Sequence, residues 1–353
     1  MTTEQQHYLT RCTELALKGA GYVAPNPMVG AVLVCGDEII GEGWHRLYGE
    51  AHAEVNCISQ AIAGGHENKF RQSVLYVSLE PCSHHGKTPP CADLIIKHGI
   101  PEVVIGCRDP FAEVNGKGIE KLRQAGVNVL LADGKPFKDS LELNRRFLTF
   151  HTLRRPYVIL KWAQTADGFI GQEGKRLLIS NEITNRLVHR WRSEEAGILV
   201  GTNTALADNP ALTNRYYPGP SPVRLVIDNW LKLPTSLQLF DRSVKTVVFN
   251  FAKHEEEDNL LWYKLEQKEE MLPQLMTALH HLKIQSVLVE GGGKLLESFI
   301  TAGTWDEARV ITNEQLFTRE GIAAPVLAGG EKQESLYLEN DRIDFYRFPK
   351  NNV

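Results

Sequence analysis

The sequence predicts two consecutive α/β domains. Short apolar runs of strand length alternate with helix-periodic stretches along most of the chain. The alternation breaks once, near residue 150, where basic residues and Pro156 interrupt it. A length of 353 residues suits two domains, each with its own core.

The elements follow in order. Residues 4–18 place Tyr8, Cys12, Leu15 and Ala16 at helical spacing. VGAVLVC (29–35) reads as a strand, Gly36-Asp37 as a turn, and EIIGEGW (38–44) as the returning hairpin partner. HAEVNCISQAIA (52–63) is a helix and SVLYVSL (73–79) a strand. CADLIIKHG (91–99) is helical, with Gly99 as its stop signal. EVVIGC (102–107) is a strand, GIEKLRQAG (118–126) a helix, VNVLLA (127–132) a strand and 136–150 a helix. Beyond the break, strands fall at 157–163, 197–201, 223–228, 244–250 and 286–290, and helices at 181–195 and 294–303. Residues 251–270 are polar and charged and read as a solvated excursion. There is no internal repeat and no low-complexity tract.

Composition is that of a soluble globular protein, 42% apolar and 23% charged. A net charge of −4 offers no basic surface for nucleic acid. No apolar run reaches the ~18 residues of a membrane span. The opening MTTEQQHYLTRC lacks the basic and apolar blocks of a signal peptide, so a cytoplasmic location is expected. Cysteines stay reduced there, and a close pair points to metal or catalysis over a disulfide. Cys12, Cys35, Cys57 and Cys107 sit among apolar residues and are expected to be buried small hydrophobes.

The close pair is in LEPCSHHGKTPPC (79–91), where eight residues separate Cys82 from Cys91. One imidazole and two thiols, His52 with Cys82 and Cys91, are the usual zinc set with one open tetrahedral position. An open position belongs to catalysis, because structural zinc takes four protein ligands. His52 and Glu54, two apart at a helix start, point in different directions. One can hold the metal while the other faces a water whose pKa zinc lowers toward ~7. A carboxylate that is not a ligand can then carry the proton to a ring nitrogen and to leaving ammonia. H-x-E, a strand, then P-C and a second cysteine is the order of the zinc deaminases. Plainer readings stand beside this one. Glu54 alone would serve as a helix-dipole partner. A structural zinc module would take its fourth ligand from His84 or His85. A nucleic-acid base deaminase, such as the tRNA-editing type, would share the zinc chemistry but wants C-x-x-C and a basic surface.

In the second half, SVLVEGGGKLLESF sets Gly291 to Gly293 between an apolar strand and a helix. Free amides at a helix start bind phosphate, although G-x-G-x-x-G is absent and a glycine triplet also suits a structural turn. GILVGTNTALADNPALTNR (197–215) supplies a second strand followed by glycine, hydroxyls, a carboxylate and an arginine.

EPCSHHGKTPPC with its eight-residue insertion, together with APNPMVGAV (24–32) and GEGWH (41–45), resembles the RibD family of bifunctional riboflavin biosynthesis enzymes. The resemblance runs over nearly the whole chain and is most specific in the first 150 residues. It implies a cytidine-deaminase-like three-layer domain over 1–150 and a dihydrofolate-reductase-like domain over 151–353. It implies zinc-dependent hydrolytic deamination of 2,5-diamino-6-(5-phosphoribosylamino)pyrimidin-4-one. NADPH reduction of the ribosyl side chain of 5-amino-6-(5-phosphoribosylamino)uracil to ribityl would follow. By that resemblance His52, Cys82 and Cys91 hold Zn2+ and Glu54 shuttles the proton. Asn26, His45, His84 and Lys87 contact the deaminase substrate. Ala163, Thr204, Asp208, Gly292, Gly293, Lys294, Leu295, Leu296, Glu297 and Ser298 contact NADPH. Arg176, Arg192, Leu212, Arg215 and Glu290 contact the reductase substrate.

The residue types agree with those roles. Asn26, between two prolines, is a rigidly held amide, while His84 and Lys87 offer positive donors to a phosphate. Arg192 and Arg215 can each grip phosphate in two-point fashion. Lys161 and Asp167, in LKWAQTADG, match the first reductase strand and the turn after it; an ion pair or a cap is the plainer reading. Where the family commonly carries G-x-S-x-W-I-T, this chain has GKRLLIS (174–180), with Arg176 and Leu178 as departures. ITNEQLFTREGIAAP (311–325) also diverges. The expected partner is a small phosphoribosyl pyrimidine, with no nucleic acid and no membrane, and the enzyme is expected to be a homo-oligomer.

Overall fold

The computed structural model describes residues 1–83, 89–110, 115–172, 174 and 177–349. The chain folds as two compact units, Met1–Leu153 and Arg154–Val353.

The first unit opens with α1 (Thr3–Leu17), whose start is fixed by reciprocal bonds between Thr2 and Gln5. The hairpin β1 (Gly30–Cys35) and β2 (Glu38–Trp44) follows, then α2 (Ala53–Ala63) and β3 (Ser73–Leu79). Next come α3 (Cys91–Lys97), β4 (Glu102–Cys107), α4 (Lys117–Gln124) and β5 (Asn128–Leu131), then α5 (Gly134–Leu143) and α6 (Arg145–Leu153). The sheet order is β2-β1-β3-β4-β5. β1 is antiparallel to both neighbours, and β3, β4 and β5 run parallel. Strand side chains alternate between faces, and this alternation builds three layers. Ala31 and Leu33 pack with Cys57, Ile58 and Ala61 of α2, Ile95 of α3 and Leu122 of α4. Val32 and Val34 pack with Leu9, Cys12 and Leu15 of α1.

The motif GEGWH acquires a packing reason here. A side chain at Gly43 would place its Cβ 2.3 Å from the Cys57 nitrogen and 2.4 Å from the Ala53 oxygen. Only glycine lets β2 lie against the backbone of α2, and that contact fixes where the first turn of α2 sits.

Two expectations are corrected in this unit. The stretch 136–150 is not one helix but α5 and α6, divided at Asn144. The Asn144 amide accepts from the Met28 N–H and donates to the Met28 carbonyl, both at 2.9 Å, which ties the division to the segment carrying Asn26. Cys12, Cys57 and Cys107 are buried, but Cys35 is partly exposed beside the hairpin turn.

The second unit is built on β6 (Tyr157–Thr165), β7 (Phe169–Gly171), α7 (Glu182–Glu194), β8 (Gly197–Gly201), α8 (Thr202–Asp208), β9 (Val223–Ile227), β10 (Thr246–Asn250), β11 (Glu255–Glu257) and β12 (Leu260–Lys264). It continues with α9 (Met271–His281), β13 (Ser286–Val289), α10 (Gly293–Ala302), β14 (Glu307–Asn313), β15 (Ile322–Ala323), β16 (Glu331–Leu338) and β17 (Asp341–Arg347). The main sheet has the order β11-β12-β10-β9-β8-β13-β6-β14-β17-β16. The run from β12 to β14 is parallel, and β11, β17 and β16 flank it antiparallel. Helices α9 and α10 cover one face and α7 and α8 the other. The supposed excursion at 251–270 in fact contributes β11 and β12, with Leu260 and Leu261 buried; the apolar run LLWY is short and lies between charged stretches. Among the described residues, no helix is long and apolar enough to cross a membrane.

Replacing Gly43 by alanine should cost the first unit on the order of 1–3 kcal/mol through backbone overpacking. Urea unfolding checks this, and an unchanged midpoint would show that α2 can yield without cost.

Candidate active sites

In the first unit three chain segments converge where β3 ends. His52 caps the start of α2 with an extended backbone, φ −72° and ψ 168°. Cys82 follows Pro81 two residues beyond Glu80, and Cys91 opens α3. The His52 Nδ1 lies 3.6 Å from the Cys82 Sγ and 3.4 Å from the Cys91 Sγ. The ligand atoms of His52, Cys82 and Cys91 all lie within 4.8 Å of one another. Ligands on a tetrahedral zinc, with Zn–N and Zn–S near 2.0–2.3 Å, would sit ~3.6 Å apart. The donor set therefore fits zinc in both chemistry and span. It supplies three ligands among the described residues.

The electrostatics of the trio favour a cation. Cys82 accepts from the Cys91 thiol and from His52, which brings its pKa down to about 4. Cys91 moves the other way, raised first by its bond to Cys82 and then by burial. Two adjacent thiols cannot both ionise unless a positive charge joins them. Glu54 is 3% exposed and makes no ion pair with a cationic side chain among the described residues. Burial raises its pKa to about 7.

The other residues expected at this site divide. Asn26 Nδ2 stands 3.1 Å from His45 Nε2, and His45 Nδ1 stands 3.1 Å from the Ala51 oxygen. The carbonyl takes the proton on Nδ1, so Nε2 is the acceptor and the ring is neutral. Burial lowers the His45 pKa in keeping with that. The His45 and His52 rings meet edge to face with centroids 5.4 Å apart, so the structure brings Asn26 and His45 beside the ligand trio. His84 and Lys87 lie outside the described residues, as does His85.

One residue of the site went unnoticed in the sequence. Glu80 is buried, and its carboxylate accepts from the backbone N–H groups of Gly116 and Gly118 at 3.0 Å and of Ile119 at 3.3 Å. It thus caps α4, whose own cap residue Gly116 has no side chain to offer. The cap fixes the chain immediately before Pro81 and Cys82. Its one sequence signal is a carboxylate at the end of an otherwise apolar strand.

In the second unit a charged cluster forms where β13 ends. Glu290 takes two bonds from Arg192, at 2.8 and 2.7 Å, and lies 3.7 Å from the Lys161 ammonium on β6. Burial is the largest influence on Glu290 and acts upward, but Arg192 and Lys161 outweigh it and hold the carboxyl down to about 2. Burial lowers the Lys161 pKa. Arg215 has no such partner. Its guanidinium bonds Thr213 Oγ1 at 3.0 Å, lies 5.7 Å from the Tyr216 ring centroid, and pairs with no carboxylate among the described residues. Leu212 is buried in an apolar cluster, so a substrate contact there would come from its backbone. Both Asn209 and Leu212 have left-handed backbones, φ +40° and +50°, a strain that persists only where surroundings impose it.

Gly291 to Gly293 join β13 to α10. Gly292 has φ +61°, and a Cβ on it would lie 3.0 Å from the Thr204 Oγ1. The start of α10 has no side-chain cap, and the glycine turn before it leaves a cradle beside Thr204 that a side chain would fill. That cradle fits the phosphates of a nucleotide cofactor. Thr204 borders it, and Ala163 is half-buried on β6. Asp208, Lys294, Glu297 and Ser298 are exposed, whereas Leu295 and Leu296 turn their side chains into the core. Asp167 accepts from Thr165 at 2.6 Å and from the Arg319 N–H at 2.8 Å, and so anchors the loop after β14. Leu178 is exposed, and Arg176 lies outside the described residues.

His189 was also missed. It sits one helical turn before Arg192 on α7, a spacing that puts both on one face. It is buried, and its Nδ1 accepts from the Arg215 N–H at 2.9 Å. Burial, then Arg192 and Arg215, push its pKa down to about 4.

Comparison with known proteins covers both units. The family model of the cytidine and deoxycytidylate deaminase zinc-binding region matches residues 2–107, and that of the RibD C-terminal domain matches 156–343. The riboflavin biosynthesis protein RibD of Aquifex aeolicus is 36% identical over 345 residues, covering 96% of this chain and 95% of that protein. The RibD of Bacillus amyloliquefaciens is 39% identical, covering 94% and 90%. A crystal structure from Thermotoga maritima, a diaminohydroxyphosphoribosylaminopyrimidine deaminase/5-amino-6-(5-phosphoribosylamino)uracil reductase, superposes with TM-score 0.88 at 33% identity over 98% of each chain.

The depressed His189 pKa has a pH consequence with a definite sign. Unfolded, the ring gains a proton near pH 6.5; folded, near pH 4. In between, the unfolded chain binds more protons, so its contribution is intact above 6.5 and is lost as pH falls toward 4. Urea unfolding followed by tryptophan fluorescence should show stability of the second unit falling more steeply from pH 7 to 5 in the wild type than in His189→Asn. Parallel pH curves would rule out a buried neutral ring.

Proposed function

The chain belongs to the RibD family of riboflavin biosynthesis proteins, and we propose that its two units use the residues described above for two successive reactions. The enzyme is a deaminase and a reductase, and the observation that carries the residue assignment is the trio His52, Cys82 and Cys91 with Glu54 beside it.

In the first unit His52, Cys82 and Cys91 hold zinc, which when bound makes water a nucleophile at neutral pH. The substrate is the diaminopyrimidinone bearing a 5-phosphoribosylamino group. Glu54 takes one proton of the attacking water to the ring nitrogen and then carries the second, from the hydroxyl so formed, to the departing amino group, so ammonia leaves and a carbonyl remains. A carboxyl with its pKa near 7 can accept and release that proton at working pH. Asn26 donates to His45 in the free enzyme, and together they present polar edges to the ring and ribose. The thiols must stay reduced, which agrees with a cytoplasmic location.

In the second unit the glycine cradle at the start of α10 holds the phosphates of NADPH, which supplies hydride to the ribosyl carbon. Lys161, Arg192 and Glu290 present a polar wall to the sugar. Two cations around one carboxylate leave the cluster positive, and Arg215 adds a third, which suits a phosphorylated substrate. The tRNA-deaminase reading is disfavoured: the spacing is C-x8-C, the net charge is −4, and a reductase domain fills the second half. A structural zinc module would need a fourth ligand, for which the sequence offers His84 or His85, both outside the described residues.

Glu54→Gln should release ammonia at least ~100-fold more slowly while binding as much zinc as the wild type. It should still oxidise NADPH when given the deaminated intermediate. Undiminished ammonia release would remove Glu54 from the shuttle role. Gly292→Ala should weaken NADPH binding by ~10-fold or more, since the new side chain enters the cradle at a left-handed position. Fluorescence titration measures this directly, and unchanged affinity would move the phosphates elsewhere.

A further inference from the structure

We infer that His189 is a positioning residue for phosphate recognition in the reductase half: its bare ring nitrogen holds the Arg215 backbone so that the guanidinium meets the 5-phosphate of the substrate. This rests on the reductase reading above.

The two arginines of the cluster are not equivalent. Arg192 is committed, with two bonds to Glu290 and a third, at 3.3 Å, to the Thr213 carbonyl. Arg215 keeps its charge open to an incoming anion. It stands on a segment that follows the left-handed Leu212 and that side chains fasten at successive residues. Ser221 accepts from the Asn214 N–H at 3.1 Å, and the Asn214 amide donates to the Tyr217 carbonyl at 2.8 Å. His189 accepts from the Arg215 N–H at 2.9 Å. The same imidazole packs against the Tyr216 ring, centroids 4.6 Å apart, over which the Arg215 guanidinium lies. One histidine thus sets both the main chain of Arg215 and the ring beneath its side chain.

The acceptor role requires an unprotonated Nδ1. The charged groups around the ring are Arg192 on its own helix, Arg215 across the bond and Glu290 from the end of β13. Burial first, and then two cations against one carboxylate, keep a positive charge off the imidazole.

The test is steady-state kinetics of the full-length, zinc-loaded chain. NADPH oxidation is followed with the deaminated intermediate and with the same compound lacking its phosphate. His189→Leu should raise KM for the phosphorylated compound ~10-fold with kcat within ~2-fold, the pattern of lost uniform binding. KM for the dephosphorylated compound should not move. His189→Asn puts an amide oxygen near the place of Nδ1 and should restore most of the affinity. An unchanged KM in His189→Leu, an equal rise with both compounds, or no rescue by asparagine each overturns the inference. Should His189→Leu fail to fold, NMR of 15N-histidine-labelled wild type decides. Bare Nδ1 with a coupling across the N–H···N bond supports the role, and a proton on Nδ1 overturns it. Wild type that oxidises no NADPH with the intermediate would instead refute the reductase reading itself.

Discussion

Holding an imidazole and two thiols within a few ångströms of one another, with one of the thiols fully buried, is the constraint on which the first unit depends. The trio cannot carry two thiolates without a cation, and a metal dication would supply that charge. The surrounding fold serves that requirement. Gly43 lets the β2 backbone press on α2 and so places His52. Glu80 fastens the start of α4 and with it the chain entering Cys82. Burial of the same site pushes Glu54 toward neutrality and gives it a proton affinity useful at pH 7.

The second unit presents the opposite imbalance. Glu290 is surrounded by Lys161 and Arg192, and the open Arg215 lies near. One site has a surplus of potential negative charge and suits a metal dication. The other has a surplus of positive charge and suits phosphates. Both stand at the carboxyl ends of parallel strands, β3 in one unit and β8 and β13 in the other, where helix starts gather. The sheet supplies rigidity, and the loops at that edge supply the chemistry.

What could be read from the sequence follows from what is local. The strands and most helices announced themselves by period, and H-x-E with P-C pointed to the three side chains that the fold brings together, His52, Cys82 and Cys91. Features that depend on distant partners did not. Asn144 divides a helix because it bonds to Met28, over a hundred residues away. β12 holds the short apolar run LLWY between charged stretches and becomes a strand by pairing with β10 and β11. Glu80 and His189 act on backbone amides of other segments, and a backbone amide leaves no mark in a sequence.

The same limit explains why Arg192 and Arg215 look alike until the fold is known. Either guanidinium could grip a phosphate, but one already carries a carboxylate. An arginine kept open for a ligand needs a holder that does not cancel its charge. An aspartate or glutamate at position 189 would pair with it, and a lysine would repel it. A neutral imidazole accepts the backbone N–H and leaves the guanidinium charge intact. Burial first, and then its neighbours Arg192 and Arg215, keep it neutral, so the positive character that suits the substrate also helps to maintain the residue proposed to aim it.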